Sequence, residues 1–154
     1  MQALARRGTP QACVIRPYPE RARLLEAAGC PVTMLTFGGA LDFVTPFKLA
    51  RAAAAYKPDV VLGWMNRACR SLPKGPWVNV GRLGGYYNLK YYRRCAHLIC
   101  NTPDIAAYVV REGRPASQVH YIPNFCPVVD DPKVDRAAMT TPEGAKILLI
   151  LARL

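Results

Sequence analysis

Thr45-Pro46, an alanine-rich run ending at Tyr56, the break Lys57-Pro58, and then Asp59 leading into Val60-Val61-Leu62-Gly63-Trp64: this stretch decides the fold. Threonine followed by proline reads as an N-cap with proline at the first helical position, because that residue's missing N–H would be unpaired there anyway. Lys57-Pro58 then ends the helix, since proline offers no donor and restricts the residue before it. The five apolar residues that follow show no polar alternation. A strand of that kind is buried on both faces, which is the environment of a parallel sheet covered by helices. Helix feeding directly into such a strand is one limb of a βαβ unit.

The same alternation extends in both directions. Upstream, residues 1–7 read as the last turns of a helix stopped by Gly8, and residues 12–15 as a strand closed by Arg16-Pro17. Residues 20–28 form a helix with Leu24 and Leu25 inward and Gly29 as its stop, residues 32–37 a strand, and Gly38-Gly39 a turn. Downstream, Trp77 to Val80 is a second continuous apolar strand, residues 89–95 a helix, and residues 97–100 a strand. Thr102-Pro103-Asp104 caps a helix running to Glu112 and stopped by Gly113, and residues 119–122 complete the set. The fold class is therefore α/β, a Rossmann-like parallel sheet with helices on both faces. From residue 126 the texture changes: Pro127, Asp130, Asp131, Pro132, Asp135 and Pro142 dilute the apolar pattern, which reads as an interdomain linker over 126–145. Lys146 to Leu151 is again strongly apolar and reads as the first strand of a further domain.

At 154 residues, 51% hydrophobic and 20% charged, the chain has room for one sizeable core and no second complete domain. Lys and Arg number 21 against 10 Asp and Glu, a formal charge of +11 that favours polyanions, phosphorylated substrates or an anionic membrane surface. No run approaches the ~18–20 apolar residues of a membrane span, and the N-terminus lacks the basic-then-apolar layout of a signal peptide. A cytoplasmic protein in peripheral contact with the inner face of the plasma membrane is expected. The six cysteines (Cys13, Cys30, Cys69, Cys95, Cys100, Cys126) form no CxxC pair and several sit in apolar runs, so they read as reduced core residues and no metal is expected. His97 and His120, each at the start of an apolar run, read as structural.

In an open parallel sheet ligands bind beyond the carboxyl ends of the strands. Those positions are polar here: Asn66-Arg67 after Trp64, Gly81-Arg82 after Val80, Asn101-Thr102 after Cys100, and Asn124 shortly after Ile122. Asparagine amides and arginine forks suit sugar hydroxyls or phosphate oxygens, although asparagines after strands also serve turn backbone. Residues 81–94 combine Gly84-Gly85 with four tyrosines (Tyr86, Tyr87, Tyr91, Tyr92) and four cations (Arg82, Lys90, Arg93, Arg94). Paired glycines permit positive φ or a close backbone approach, and tyrosines stack on sugar rings. Tyr87 and Tyr91 fall on one face at helical spacing and so read as packing. Arg93 and Arg94 read as solvated or facing membrane phosphates, and Asp42 and Glu20 as structural or capping acids. The spacing is neither GxGxxG nor a P-loop, and no catalytic constellation is visible. Nucleic-acid binding rests on charge and aromatics alone and ranks lower.

Trp64-Met65-Asn66-Arg67-Ala68, Val80-Gly81-Arg82-Leu83-Gly84-Gly85-Tyr86-Tyr87, His97-Leu98-Ile99-Cys100-Asn101-Thr102-Pro103-Asp104-Ile105 and Val119-His120-Tyr121-Ile122-Pro123-Asn124-Phe125 together resemble the N-terminal domain of bacterial glycosyltransferases of the glycosyltransferase-family-4 type, which have the two-Rossmann-domain GT-B fold. The resemblance covers most of residues 12–125. The Gly-Arg-Leu-Gly-Gly-Tyr-Tyr segment looks like enzymes that build lipopolysaccharide or other surface glycans. It implies an acceptor-side domain over residues 1–125 that has lost its first strand, with 146–154 beginning a donor domain that is absent. It implies transfer of a sugar, of hexosyltransferase type and with retention, from a nucleotide-sugar donor to a sugar or lipid-linked glycan acceptor, without metal or other cofactor. Asn66, Arg67, Arg82, Gly84, Gly85, Tyr86, Asn101 and Asn124 are implied to line the acceptor cleft, with no catalytic residue assigned. The chain alone would be an inactive fragment, pairing with a separately encoded donor domain or persisting as a non-enzymatic carbohydrate- or anion-binding module.

Overall fold

The computed structural model describes residues 2–38, 42–124, 140–142 and 144–146. The chain divides into two units, Met1–Asn124 and Phe125–Leu154. In the second, the Ala145 N–H donates to the Pro142 carbonyl in a short turn. The expectations for Gly39, Cys126, most of the linker and the apolar run at 147–151 lie outside the described residues.

In the first unit, helix α1 (Gln2–Arg6) leads to strand β1 (Cys13–Ile15), α2 (Pro19–Ala27), β2 (Val32–Met34), α3 (Val44–Tyr56), β3 (Val60–Trp64), α4 (Met65–Ser71), β4 (Val78–Leu83), β5 (His97–Cys100), α5 (Pro103–Arg111) and β6 (Val119–Tyr121). Every pairing is parallel. The Rossmann-like α/β reading is borne out. The ladders form two sheets, β1-β2 and β3-β4-β5-β6.

Pleating sorts each strand's residues onto opposite faces. On the four-stranded sheet, Leu83, Leu98 and Cys100 face inward and pack with Cys69 and Leu72 of the α4 region, Tyr92, Cys95, and Ile105 and Val109 of α5. Gly63 and Gly81 allow this close layering. A Cβ on Gly63 would come within 2.9 Å of Cys69 Sγ, and one on Gly81 within 2.8 Å of both Cys95 Sγ and the Tyr92 ring. Arg114 locks the far side, donating to the Tyr92 and Cys95 carbonyls at 2.7 and 2.8 Å. A second cluster, Leu35, Phe37 and Leu49 with Val14 against it, joins α3 to the smaller sheet.

Several elements depart from expectation. Thr45 is not the N-cap of α3: the helix starts at Val44, two residues before the expected Pro46, and Thr45 is buried with its hydroxyl accepting from the Phe37 N–H. Capping falls to Asp42, whose carboxylate accepts from the Thr45 and Gly38 N–H groups at 2.8 and 2.6 Å. A carboxylate reaches the helix amides that proline leaves available, so the structural reading of Asp42 holds. Strand β2 ends at Met34 rather than 37, because its partner β1 ends at Ile15, the register mate of Met34. β4 continues through Gly81-Arg82 to Leu83, since Gly81 is needed beneath Tyr92 and does not break the strand. Residues 89–92 form a 3₁₀ turn rather than a helix to residue 95. α4 follows β3 without a loop, and Met65 sits in the left-handed region at φ 66°.

The five described cysteines are buried and free. Burial and the neighbouring Cys30 push the Cys13 thiol up to about 12, and burial raises Cys100, so both stay protonated.

Hydrogen bonds from the Thr45 hydroxyl and backbone hold the Asp42 carboxyl below the usual carboxylate range. A lowered folded pKa gives stability that is present above the unfolded value, ~3.9, and lost as pH falls through the folded one. Asp42→Asn should therefore melt below the wild type by a constant margin above about pH 5. That margin should shrink in acid, as thermal unfolding across a pH series would show; a margin independent of pH would contradict the assignment.

Candidate functional site at the strand ends

The carboxyl ends of β3, β4, β5 and β6 lie side by side because the four strands are parallel and in sequence order. Arg82 is the hub. It projects from the same face of β4 as Trp64, its register partner on β3, and its guanidinium sits 4.7 Å from the Trp64 ring centroid. Its Nη2 donates to Asn124 Oδ1, joining β4 to the segment after β6 across 42 residues. A guanidinium held against a ring face and by one amide oxygen keeps further N–H donors for a ligand.

Beyond β4, the Tyr86 hydroxyl donates to the Asp104 carboxylate in the first turn of α5, and its ring meets Tyr108 edge-on at 5.3 Å. The expected cap of α5 is present: Thr102 Oγ1 accepts from the Ile105 N–H. Asp104 therefore lies at the amide end of α5, already engaged by tyrosine.

Asn66 and Arg67, on the first turn of α4, line an open cleft of about 440 Å³ with Gly38, Asp42, Arg70 and Tyr91. The Asn66 Oδ1 and Asn101 Oδ1 atoms are buried and have no hydrogen-bond partner. A buried amide oxygen left unpaired costs on the order of 1–3 kcal/mol, and a ligand hydroxyl would remove that cost. The Asn66 amide, lining the cleft with Arg67 and Arg70, suits a polyhydroxylated or phosphorylated molecule.

The sequence-derived residues thus fall into two groups. Arg82 and Asn124 touch, with Tyr86 pinned nearby to α5; Asn66 and Arg67 belong to the α3–α4 cleft. Gly84 lies between, where an added Cβ would approach Met65 Sδ at 3.4 Å. Neither Gly84 nor Gly85 has positive φ, so the expectation of a left-handed turn there is not met. Tyr87 precedes the 3₁₀ turn and receives the Tyr108 hydroxyl on its carbonyl; Tyr87 and Tyr91 both pack against the core cluster, as expected, and Tyr91 also lines the cleft. Arg94 is not free: it donates to the Leu72 carbonyl at 2.7 Å. Trp64, Arg70 and Asp104 were missed as site residues. An aromatic at a strand end next to an in-register arginine was the available signal for Trp64, and none existed for Arg70 without α4.

The His97 and His120 rings meet at 3.1 Å between nitrogens, His97 at the first residue of β5. Among the described residues no group of three His, Cys, Asp or Glu side chains could hold a metal ion, and no helix is long and apolar enough to cross a membrane.

Gly81→Ala should lower the unfolding free energy by about 1–3 kcal/mol through overpacking. Gly84→Ala should change it by less than about 0.5 kcal/mol. Denaturant melts of the two variants test the contrast; equal effects would contradict the packing described.

Fold and site define a Rossmann-like parallel α/β domain with an arginine- and asparagine-lined crevice at its strand ends. No family model matches the chain, and no solved structure does. It is similar to two curated proteins of Rhizobium meliloti (strain 1021). One is the lipopolysaccharide core biosynthesis glycosyltransferase LpsE, 34% identical over 157 residues, covering 99% of this chain and 46% of the relative. The other is the lipopolysaccharide core biosynthesis glycosyltransferase LpsD, 31% identical over 156 residues, covering 99% of this chain and 45% of the relative. The chain spans somewhat under half the length of these curated relatives.

Proposed function

We propose that this chain is the acceptor-side portion of a glycosyltransferase of lipopolysaccharide or surface-polysaccharide synthesis. It would position a glycan or lipid-linked acceptor for a sugar delivered from a nucleotide-sugar donor. The observation that carries this reading is the similarity to two lipopolysaccharide core glycosyltransferases over 99% of the chain. The site supports it: the unpaired Asn66 and Asn101 oxygens would accept from acceptor hydroxyls, and Arg82, steadied by Trp64 and Asn124, would orient an oxygen-rich group. The proposal includes a GT-B arrangement of hexosyltransferase type with retention, the donor being held by a second domain outside this chain. Bound donor and acceptor would meet at the strand ends, and no metal is invoked. The formal charge of +11 suits work at the inner face of an anionic membrane, from the cytoplasm. On this reading residues 1–154 alone bind acceptor without transferring sugar.

Grafting the chain into LpsE in place of its matched stretch tests the reading. In a strain lacking LpsE, the chimera should restore sugar transfer to the lipopolysaccharide core. A folded chimera that leaves the core truncated would sink it.

A further inference from the structure

Among the described residues, the two most exposed large apolar side chains are neighbours at the start of one helix. Phe43, the residue before α3, is 78% exposed and Phe47, one turn on, is 69% exposed, with Val44 beside them at 58%. Single exposed apolar residues are ordinary, but three together mark a contact surface. The helix fixes their direction. Thr45, Leu49 and Ala53, four residues apart, form the buried row of α3, and Leu49 packs with Leu35 and Phe37. Phe43 already has helical backbone, at φ −85° and ψ −16°. At about 100° per residue, the row Phe43, Phe47 and Arg51 stands two positions from the buried row, about 200° of turn away, and so faces outward. These rings cannot turn inward without drawing Thr45 and Leu49 out of the core.

What fits this edge follows from the charge around it. From Phe43 to Pro58 the chain carries no acid and three cations, Lys48, Arg51 and Lys57. Lys48 directly follows Phe47, Arg51 continues the outward row, and both are exposed. Arg67 and Arg70 of α4 add exposed cations across the cleft that Phe43 and Pro46 line. Asp42, the acid in that lining, has its carboxylate taken by the Thr45 and Gly38 amides. A second copy of the chain, with the same formal charge of +11, is repelled by such an edge. Apolar tips ringed by cations match a surface that is anionic outside and apolar beneath. A bilayer with acidic headgroups is such a surface: aromatic rings settle at headgroup depth while lysine and arginine meet the phosphates.

We propose that the start of α3 is a membrane-inserting edge, Phe43, Val44 and Phe47 entering the interface of an anionic bilayer and Lys48 and Arg51 pairing with its phosphates. The proposal deepens the membrane-face reading above, on which it rests, by assigning the contact to insertion at one edge and not to overall charge. It also bears on the site. Phe43 and Pro46 belong both to this edge and to the cleft wall, so the cleft holding Asn66 and Arg67 lies beside the bilayer surface, where the head of a lipid-linked acceptor is found.

Cosedimentation of the whole chain with vesicles of phosphatidylcholine or of phosphatidylglycerol separates the outcomes. The wild type should bind phosphatidylglycerol at least about tenfold more tightly than phosphatidylcholine. It should keep part of that binding at about 0.5 M salt, where charge alone is largely screened. The double variant Phe43→Ser, Phe47→Ser should bind at least about tenfold more weakly, with an unfolding transition like that of the wild type, since neither ring packs in a core cluster. Phe47→Trp should retain binding, because tryptophan also favours the interface. Vesicle binding that the double serine variant keeps in full would overturn the inserting edge and leave the membrane-face reading standing. No binding of the wild type to either vesicle would overturn both. Self-association of the wild type without lipid, lost in the serine variant, would give the edge to a second copy and overturn the proposal.

Discussion

Arg82→Ala is expected to weaken binding of a lipopolysaccharide core oligosaccharide ten- to a hundredfold, about 1.4–2.7 kcal/mol, with the fold intact. The side chain ties three strand ends together: it lies over Trp64, bonds Asn124, and rises from the middle of the four-stranded sheet. Its loss removes charge-assisted donors, worth about 1.5–3 kcal/mol each when they meet a ligand. It also frees the Asn124 amide to turn elsewhere. Arg82→Lys keeps the charge but loses the planar fork, and should recover only part of the affinity. Calorimetric titration of the three proteins checks this. Unchanged affinity in the alanine variant would remove Arg82 from the site.

Leu98→Ala is expected to lower the unfolding free energy by about 2–5 kcal/mol, the range for emptying a filled core position. Leu98 is fully buried, in the cluster formed by Cys69, Tyr92, Cys95 and Val109. Its pleat neighbours His97 and Ile99 face the other side, and Cys100, next on the same face, is already packed in the cluster, so its own strand offers little to fill the void. Urea unfolding gives the number. A loss below about 1 kcal/mol would mean that this sheet face is not the packed one.

The parallel architecture was legible because its signals are local and strong. Val60-Val61-Leu62-Gly63-Trp64 reads as a strand without reference to anything else, although its expected burial on both faces is not met, since Val60, Leu62 and Trp64 are exposed; Thr102-Pro103-Asp104 announces α5, whose cap is as expected. Other features depend on contacts that a linear reading does not see. Gly81 looked like a strand end, and only the Tyr92 ring lying against it shows why a glycine continues the strand. α4 is seven residues long, lacks a side-chain cap, and begins at a left-handed Met65, so neither periodicity nor a cap gave it away. Thr45-Pro46 carried a convincing helix start, yet Asp42 does the capping because its carboxylate reaches both the Thr45 and Gly38 amides.

The site was legible as a set of strand ends and not as a geometry. Asn66, Arg82, Asn101 and Asn124 were picked out by position after apolar runs. The link between Arg82 and Asn124 spans 42 residues and has no local signature. The reasoning for Gly84 and Gly85 offered positive φ or a close backbone approach to a ligand, and neither glycine is at positive φ. Tyr86, expected at the acceptor cleft, remains exposed, with its hydroxyl bonded to Asp104 and its ring edge-on to Tyr108, contacts that no local pattern announces.

The most direct measurement is a pair of titrations of residues 1–154, one with a lipopolysaccharide core oligosaccharide and one with a nucleotide-sugar. Saturable oligosaccharide binding that Arg82→Ala weakens, with no saturable nucleotide-sugar binding, is the predicted result. Nucleotide-sugar binding without oligosaccharide binding, or binding only to oligonucleotides with a steep salt dependence, would contradict the acceptor-side account.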